Sequence, residues 1–356
     1  MEWSNSLIRI MNTLLTEEKI LKNSKRKTLL DKIMFFLFLF IALICTSIII
    51  ITFLVILIKG LSPFFKNYST VEGETLTPNF GTFLFGLNWS NYGALYLLIN
   101  TIFAVFLSLI ISVPISLMTA LFITRIAPKP IAIIFKSGID ILSSIPSIIF
   151  GLFGQMVICP FVNNLSNIFN YQTMGGSSLL SGIIVLAMMS IPTITIVSIT
   201  SLESVEKSYV EGSLALGATN SETNFKVILK GATSGIISGI ILGIGRALGE
   251  ATAISLVVGN ALSGPTFNLF DPSSTLTTIM MLGLTEASGL AYDMKFTLGI
   301  YLMLVIIITN LVLNYIKNKI TNPYKQDSKL VKFIKSIISK IKLKHQLNKE
   351  GNNNEK

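Results

Sequence analysis

The chain has 356 residues, of which 51% are hydrophobic and 13% charged, with a formal net charge of +10 and a mean hydropathy of +0.70. An average soluble domain carries about 25% charged residues, so this much apolar surface needs lipid around it, and several runs are long enough to cross a hydrocarbon core of about 30 Å. The single histidine, His345, sits in a Lys-rich tail and the two cysteines, Cys45 and Cys159, fall inside apolar stretches, which argues against His-based catalysis, a His-ligated metal and a disulfide.

Residues 1–32 carry Arg9, Lys19, Lys22, Lys25, Arg26, Lys27 and Lys32, and the apolar run Ile33 to Ile58 follows at once. That run is too long for a signal-peptide core and no small-x-small cleavage pattern follows it, so it reads as an uncleaved spanning helix with its basic flank in the cytoplasm. Further spans are expected at Ala94–Ile123, Gly138–Val162, Leu179–Thr200 and Phe296–Ile316, with Pro114, Pro146 and Pro192 kinking three of them. Thr233–Gly259 is counted as well, although Arg246 and Glu250 sit near its middle. The expectation is an all-α membrane protein with about six transmembrane helices.

Loop charge sets the orientation, because short cytoplasmic loops are enriched in Lys and Arg. The 124–137 loop has Arg125, Lys129 and Lys136, and the 201–232 loop has Lys207, Lys226 and Lys230. The 59–93 loop has only Lys59 and Lys66, the 163–178 loop has no charge, and the 260–295 loop sets Lys295 against Asp271, Glu286 and Asp293. Both termini are therefore expected in the cytoplasm. Beyond Pro323, the segment 323–356 places Leu330, Ile334, Ile337, Ile338 and Ile341 at helical spacing among lysines. It reads as a basic amphipathic helix for the anionic inner leaflet, or as a solvated tail. It lacks the interleaved aromatics of a nucleic-acid surface, so no nucleic-acid partner is expected.

Three features carry function. The polar 201–232 loop reads as helix-turn-helix: Glu203 to Ala215, a break at Gly217, and Ser221 to Leu229 with Ser221 as N-cap. Such a knob suits docking into the groove of a soluble partner. Next, Gly231, Gly235, Gly239 and Gly243 recur every four residues, a face that lets another helix come close. Last, Arg246 and Glu250 are four apart, which on one continuous helix puts them on one face. An arginine at the centre of a membrane helix costs about 2.5–3.5 kcal/mol. The pair therefore faces its own members, a partner subunit or a water-filled path. A fixed cation with a carboxylate to hold it suits an anion path; an ion pair that only fixes packing is the competing reading.

Glu211-Gly-Ser-Leu-Ala-Leu-Gly217-Ala-Thr, with Val227 and Leu229 after it, resembles the EAA loop of ABC-transporter permeases, with Gly212 and Ser213 where that pattern has alanines and Lys230 where it often has proline. Gly245-Arg-Ala-Leu-Gly-Glu250-Ala-Thr-Ala, then Val257-Val-Gly-Asn260-Ala, is similar to the phosphate-transporter permeases of the PstC family. So are Asn88-Trp89-Ser90, Gly93-Ala-Leu, Ser144-Ile-Pro-Ser-Ile-Ile-Phe-Gly151 and Leu269-Phe-Asp-Pro-Ser-Ser-Thr-Leu-Thr277. The resemblance covers about 83–316. It implies a type I ABC importer permease core at 94–316 with one extra N-terminal helix, in the bacterial inner membrane.

It also implies the partners: a sister PstA-type permease, two PstB-type ATPases and a periplasmic phosphate-binding protein, with inorganic phosphate as cargo. Arg246 and Glu250 match the positions the family uses for phosphate passage, and Glu211, Gly217, Val227 and Leu229 lie in the loop that meets an ATPase. No Gly-x-x-x-x-Gly-Lys-Ser/Thr loop occurs, so ATP is expected to bind on a partner, and no cofactor is expected in this chain. The rival readings are an ABC permease for sulfate or molybdate, a stand-alone secondary transporter or channel, and, weakest, a membrane-embedded enzyme.

Overall fold

The computed structural model describes residues 2–66, 68, 69, 75, 76, 78–262 and 264–321, with residues 2–30, 69, 75 and 76 described in the backbone alone. The basic 323–356 segment lies outside the described residues. In chain order the helices are α1 (Glu2–Leu61), α2 (Phe80–Phe85), α3 (Leu95–Ile126), α4 (Lys129–Ser144), α5 (Ser147–Ile168), α6 (Leu179–Glu203), α7 (Lys207–Ala215), α8 (Asn220–Gly231), α9 (Thr233–Gly249), α10 (Thr252–Val257), α11 (Leu276–Met281) and α12 (Gly289–Thr321). Among the described residues the only strand pairing is Tyr68–Ser69 with Thr75–Leu76. Among the described residues five helices are long and apolar enough to cross a membrane: Asp31–Phe64 (the apolar end of α1 with a short extension), α3, α5, α6 and α12. The pair α8 and α9, bent by 66°, makes a sixth if counted as one span.

Burial identifies the centre. The most apolar stretch of α6 is 67% buried within the chain, against 0% for that of α1. The centre, α6, lies against α3 on one side and α9 on the other, while α1 touches α12 at the periphery. Both α3 and α6 carry small hydroxyl residues that are buried, Ser108, Ser112 and Ser116 on α3 and Ser190, Thr195 and Ser198 on α6. The Ser116 hydroxyl donates from α3 to the carbonyl of Ile191 in α6 at 3.1 Å. With no water to squeeze out between membrane helices, small side chains and close backbones supply the attraction.

The glycine ladder lies against another face of α6. A Cβ on Gly239 would sit 3.0 Å from Val197 Cβ, one on Gly243 2.8 Å from Ile194 Cγ1, and one on Gly235 would run into the Ser201 side chain. Apolar packing fixes both ends of this helical stack. Val105, Ile183, Leu186, Leu248 and Ile254 form one cluster, and Leu121, Ile199, Leu202, Ile228 and Ile236 form the cluster by the 201–232 loop.

Several boundaries differ from those expected. The span drawn at Gly138–Val162 is two helices, α4 and α5, parted at Ile145 and Pro146, both of which have extended ψ of 127° and 139°. Proline removes a backbone donor and pushes the residue before it out of the helical region. Pro114 and Pro192 instead lie inside the continuous helices α3 and α6. The span drawn at Thr233–Gly259 stops at Gly249, and Glu250 is extended with ψ 124°. Asp293 and Lys295, drawn as loop, belong to α12. Cys159 is buried as expected of a small hydrophobe, whereas Cys45 is exposed on α1.

Candidate functional site

Arg246 occupies the last turn of α9, half-buried, and its Nη1 donates to Thr193 Oγ1 at 2.8 Å. Thr193 follows Pro192 in α6. A guanidinium has five N–H donors, and this is the one hydrogen bond it makes among the described residues. The helix end at Gly249 undoes the expected shared face with Glu250. Among the described residues the ion pairs within 4 Å are Lys136–Glu203 and Lys226–Glu222, and neither involves Arg246 or Glu250.

Glu250 turns instead toward α10. Its Oε1 accepts from the Ala253 amide at 3.0 Å and from Thr252 Oγ1 at 2.8 Å. A carboxylate that takes a free amide at the start of the next helix competes directly with continuation of the first. The Glu250 carbonyl, which has lost its helical donor, accepts from Thr277 Oγ1 at 2.6 Å. Thr252 Oγ1 also lies 2.8 Å from Ser147 Oγ, the first residue of α5. The two chain breaks, at 145–146 and at 249–251, are thus joined by side-chain hydroxyls.

The surface charges locate this level. From the Lys136–Glu203 pair at one end, α6 takes ten residues to reach Thr193, about 15 Å at 1.5 Å per residue. That is near half the thickness of a hydrocarbon core of about 30 Å. Broken helices at such depth occur where the freed backbone groups are held by protein or line a cavity. Here a half-buried cation bonded to Thr193 comes four residues before a carboxylate whose own surroundings are the hydroxyls of Thr252, Ser147 and Thr277.

At the charged end, α7 and α8 form the helical pair of the 201–232 loop. Gly217, with φ +85°, makes the turn in a region that side chains rarely adopt. The N-cap of α8 is Thr219, not the expected Ser221: Thr219 Oγ1 accepts from the Glu222 amide at 3.2 Å while Glu222 Oε2 accepts from the Thr219 amide at 3.2 Å. Ser213 and Thr223 hydroxyls, 2.9 Å apart, tie the two helices together. Glu211 and Gly217 are exposed, Val227 and Leu229 half-buried. At the tip Leu216 is 90% exposed, and Tyr209, near the start of α7, 62%, apolar surface that the residue pattern alone did not single out. Thr193, Thr252, Thr277 and Ser147 were missed for a different reason: hydroxyl residues are common in these spans, and only contact distinguishes them.

Residues 112–322 match the family of binding-protein-dependent transport system inner membrane components. The chain belongs to that family. The match runs from within α3 to the end of α12, so it takes in the broken helix and the α7–α8 loop and leaves out α1. Membership makes the chain the multi-pass inner-membrane component of a binding-protein-dependent transport system. Among curated relatives, the probable ABC transporter permease protein YqgH of Bacillus subtilis is 32% identical over 272 residues, 74% of this chain and 82% of that one. The phosphate transport system permease protein PstC of Pasteurella multocida is 34% identical over 249 residues, 64% of this chain and 78% of that one. Among solved structures, a chain of a bacterial ABC transporter that imports alginate aligns with a TM-score of 0.49 at 20% identity, over 64% of this chain and 79% of that one.

Proposed function

We propose that the chain is the permease subunit of an ATP-driven inorganic phosphate importer, forming the path together with a sister permease of the PstA type. Two PstB-type ATPases supply the energy and a periplasmic phosphate-binding protein delivers the cargo. The observation that carries this reading is Arg246. It is a guanidinium within a membrane helix that no carboxylate among the described residues pairs with inside 4 Å, placed near two helix breaks, with one neutral hydroxyl as its bonded partner among those residues. A fixed cation in a low-dielectric site offsets the desolvation of an anion and presents planar, paired donors that suit phosphate oxygens. Support for phosphate over sulfate or molybdate comes from the PstC relatives, several of which match at 28–34% identity.

The α7–α8 knob, with Leu216 at its tip, is where an ATPase would dock. Alternating access follows if ATP binding there favours one arrangement of the helices, since a ligand with equal affinity for both states shifts nothing. In this reading both termini lie in the cytoplasm, on the side of the Lys136–Glu203 pair and the α7–α8 knob. The test is radiolabelled phosphate uptake by proteoliposomes that hold the chain with its three kinds of partner. ATP-dependent uptake is expected that phosphate but not sulfate competes away, and that Arg246→Gln abolishes while the complex still assembles. Uptake that survives Arg246→Gln reduces the arginine to a packing residue. Uptake without the ATPase refutes the ABC mechanism.

A further inference from the structure

Lys295 lies near the start of α12 and is only 7% exposed. An ammonium has three donors and no acceptor. Here two are spent on the carbonyls of Ile279, at 3.1 Å, and Leu282, and no carboxylate pairs with it within 4 Å among the described residues. Both carbonyls belong to the C-terminal end of α11. That end carries partial negative charge, so the buried charge is met by a helix terminus in place of an anion.

A helix of six residues has no stability of its own. What keeps α11 helical is its surroundings. Thr275 and Thr278 form a capping box at the N-terminus, with the Thr275 amide donating to Thr278 Oγ1 at 2.9 Å and the Thr278 amide to Thr275 Oγ1 at 3.3 Å. Thr101 of α3 accepts from the Leu276 amide at 3.0 Å, and Lys295 holds the other end. At the break itself the helix is held by Thr277, whose hydroxyl donates to the Glu250 carbonyl at 2.6 Å.

We infer that Lys295 is a positioning residue for the transport path: by holding the C-terminal end of α11 it keeps Thr277 on the Glu250 carbonyl, and so fixes the break that sets Arg246 and the Glu250 carboxylate in place. Lys295 does not touch substrate in this arrangement. Its role is to stop α11 from unwinding when the helices around it move. The inference rests on the transport function proposed above only for its consequence, not for its geometry.

Amide hydrogen exchange on the complete transporter in lipid nanodiscs tests the geometry without any substrate. Lys295→Met should speed exchange about tenfold at 276–282 and also at 250–253, the loss expected from one or two buried hydrogen bonds. Lys295→Arg, which keeps a donor and the charge, should restore most of the protection. Thr277→Val should affect 250–253 by itself, and the double variant should be no worse there than either single one, because both act through one hydrogen bond. In uptake, Lys295→Met should lower the maximal rate several-fold at an unchanged half-saturating concentration of loaded binding protein. Exchange confined to 276–282, or additive effects at 250–253, would overturn the inference. If Lys295→Met does not assemble, Thr277→Val and Lys295→Arg still decide the point. A wild-type transporter that shows the exchange pattern but takes up no phosphate would sink the phosphate assignment and leave the role of Lys295 standing.

Discussion

Replacing Gly239 by alanine sets two effects against each other with known signs. In a helix interior, alanine is favoured over glycine by up to about 1 kcal/mol, because the glycine backbone loses more freedom on folding. Against this, the new Cβ would lie 3.0 Å from Val197 Cβ and 3.1 Å from its Cγ1, with the Ile194 carbonyl oxygen at 3.5 Å. Val197 Cβ is fixed to its backbone and has no rotamer that moves it away, so α9 must shift from α6, and overpacking of this kind costs about 1–3 kcal/mol. The net expectation is a loss of up to about 2 kcal/mol for Gly239→Ala, the difference of those two figures. Gly243→Ala meets the outer atoms of Ile194, at 2.8 and 2.9 Å, which can partly give way, and should be close to neutral. Gly245→Ala meets nothing within 4 Å and should gain about 0.5–1 kcal/mol. Equilibrium unfolding of the purified permease in mixed micelles orders the three. Stability of Gly239→Ala at or above the wild type, or one common shift for all three, would refute the claim that close backbone approach holds α9 to α6.

Thr193→Val removes the one hydrogen bond seen on Arg246 and should slow uptake several-fold, by about 1 kcal/mol, without the full loss expected of Arg246→Gln; initial rates of uptake tell them apart. Glu250→Gln keeps an oxygen for the Ala253 amide and should leave stability near wild type, whereas Glu250→Ala should cost about 1 kcal/mol as a lost cap; a transport defect in the Gln variant alone assigns the role to the charge. Leu216→Asp, on a side chain 90% exposed, should change the permease's stability by less than about 0.5 kcal/mol yet abolish co-purification with the ATPase. Retention of the ATPase at wild-type levels would remove Leu216 from the docking surface.

What the sequence alone determined follows from cost. Apolar runs of twenty or more residues have few places to go except lipid, so the existence of α1, α3, α6 and α12 was legible, with α3 and α6 placed to within a few residues, whereas α1 reaches back to Glu2 and α12 begins at Gly289, well before the starts expected. Arg246 and Glu250 stood out because charges are rare there, and Gly217 because a turn between two helical patterns needs a residue free to take positive φ. Their arrangement was not legible. Helical spacing put Arg246 and Glu250 on one face because periodicity assumes that the helix continues. Whether it does depends on the Ala253 amide, the Thr252 hydroxyl and the Thr277 hydroxyl, of which the last is far along the chain. Thr193 as the partner of Arg246, and Lys295 at the end of α11, are likewise decided by neighbours distant in sequence. Lys295 read as loop charge because hydropathy weighs a lysine by its own cost and cannot see the carbonyls that repay it. Patterns along the chain report what each residue would lose in lipid, and only tertiary contact settles which partner makes good the loss.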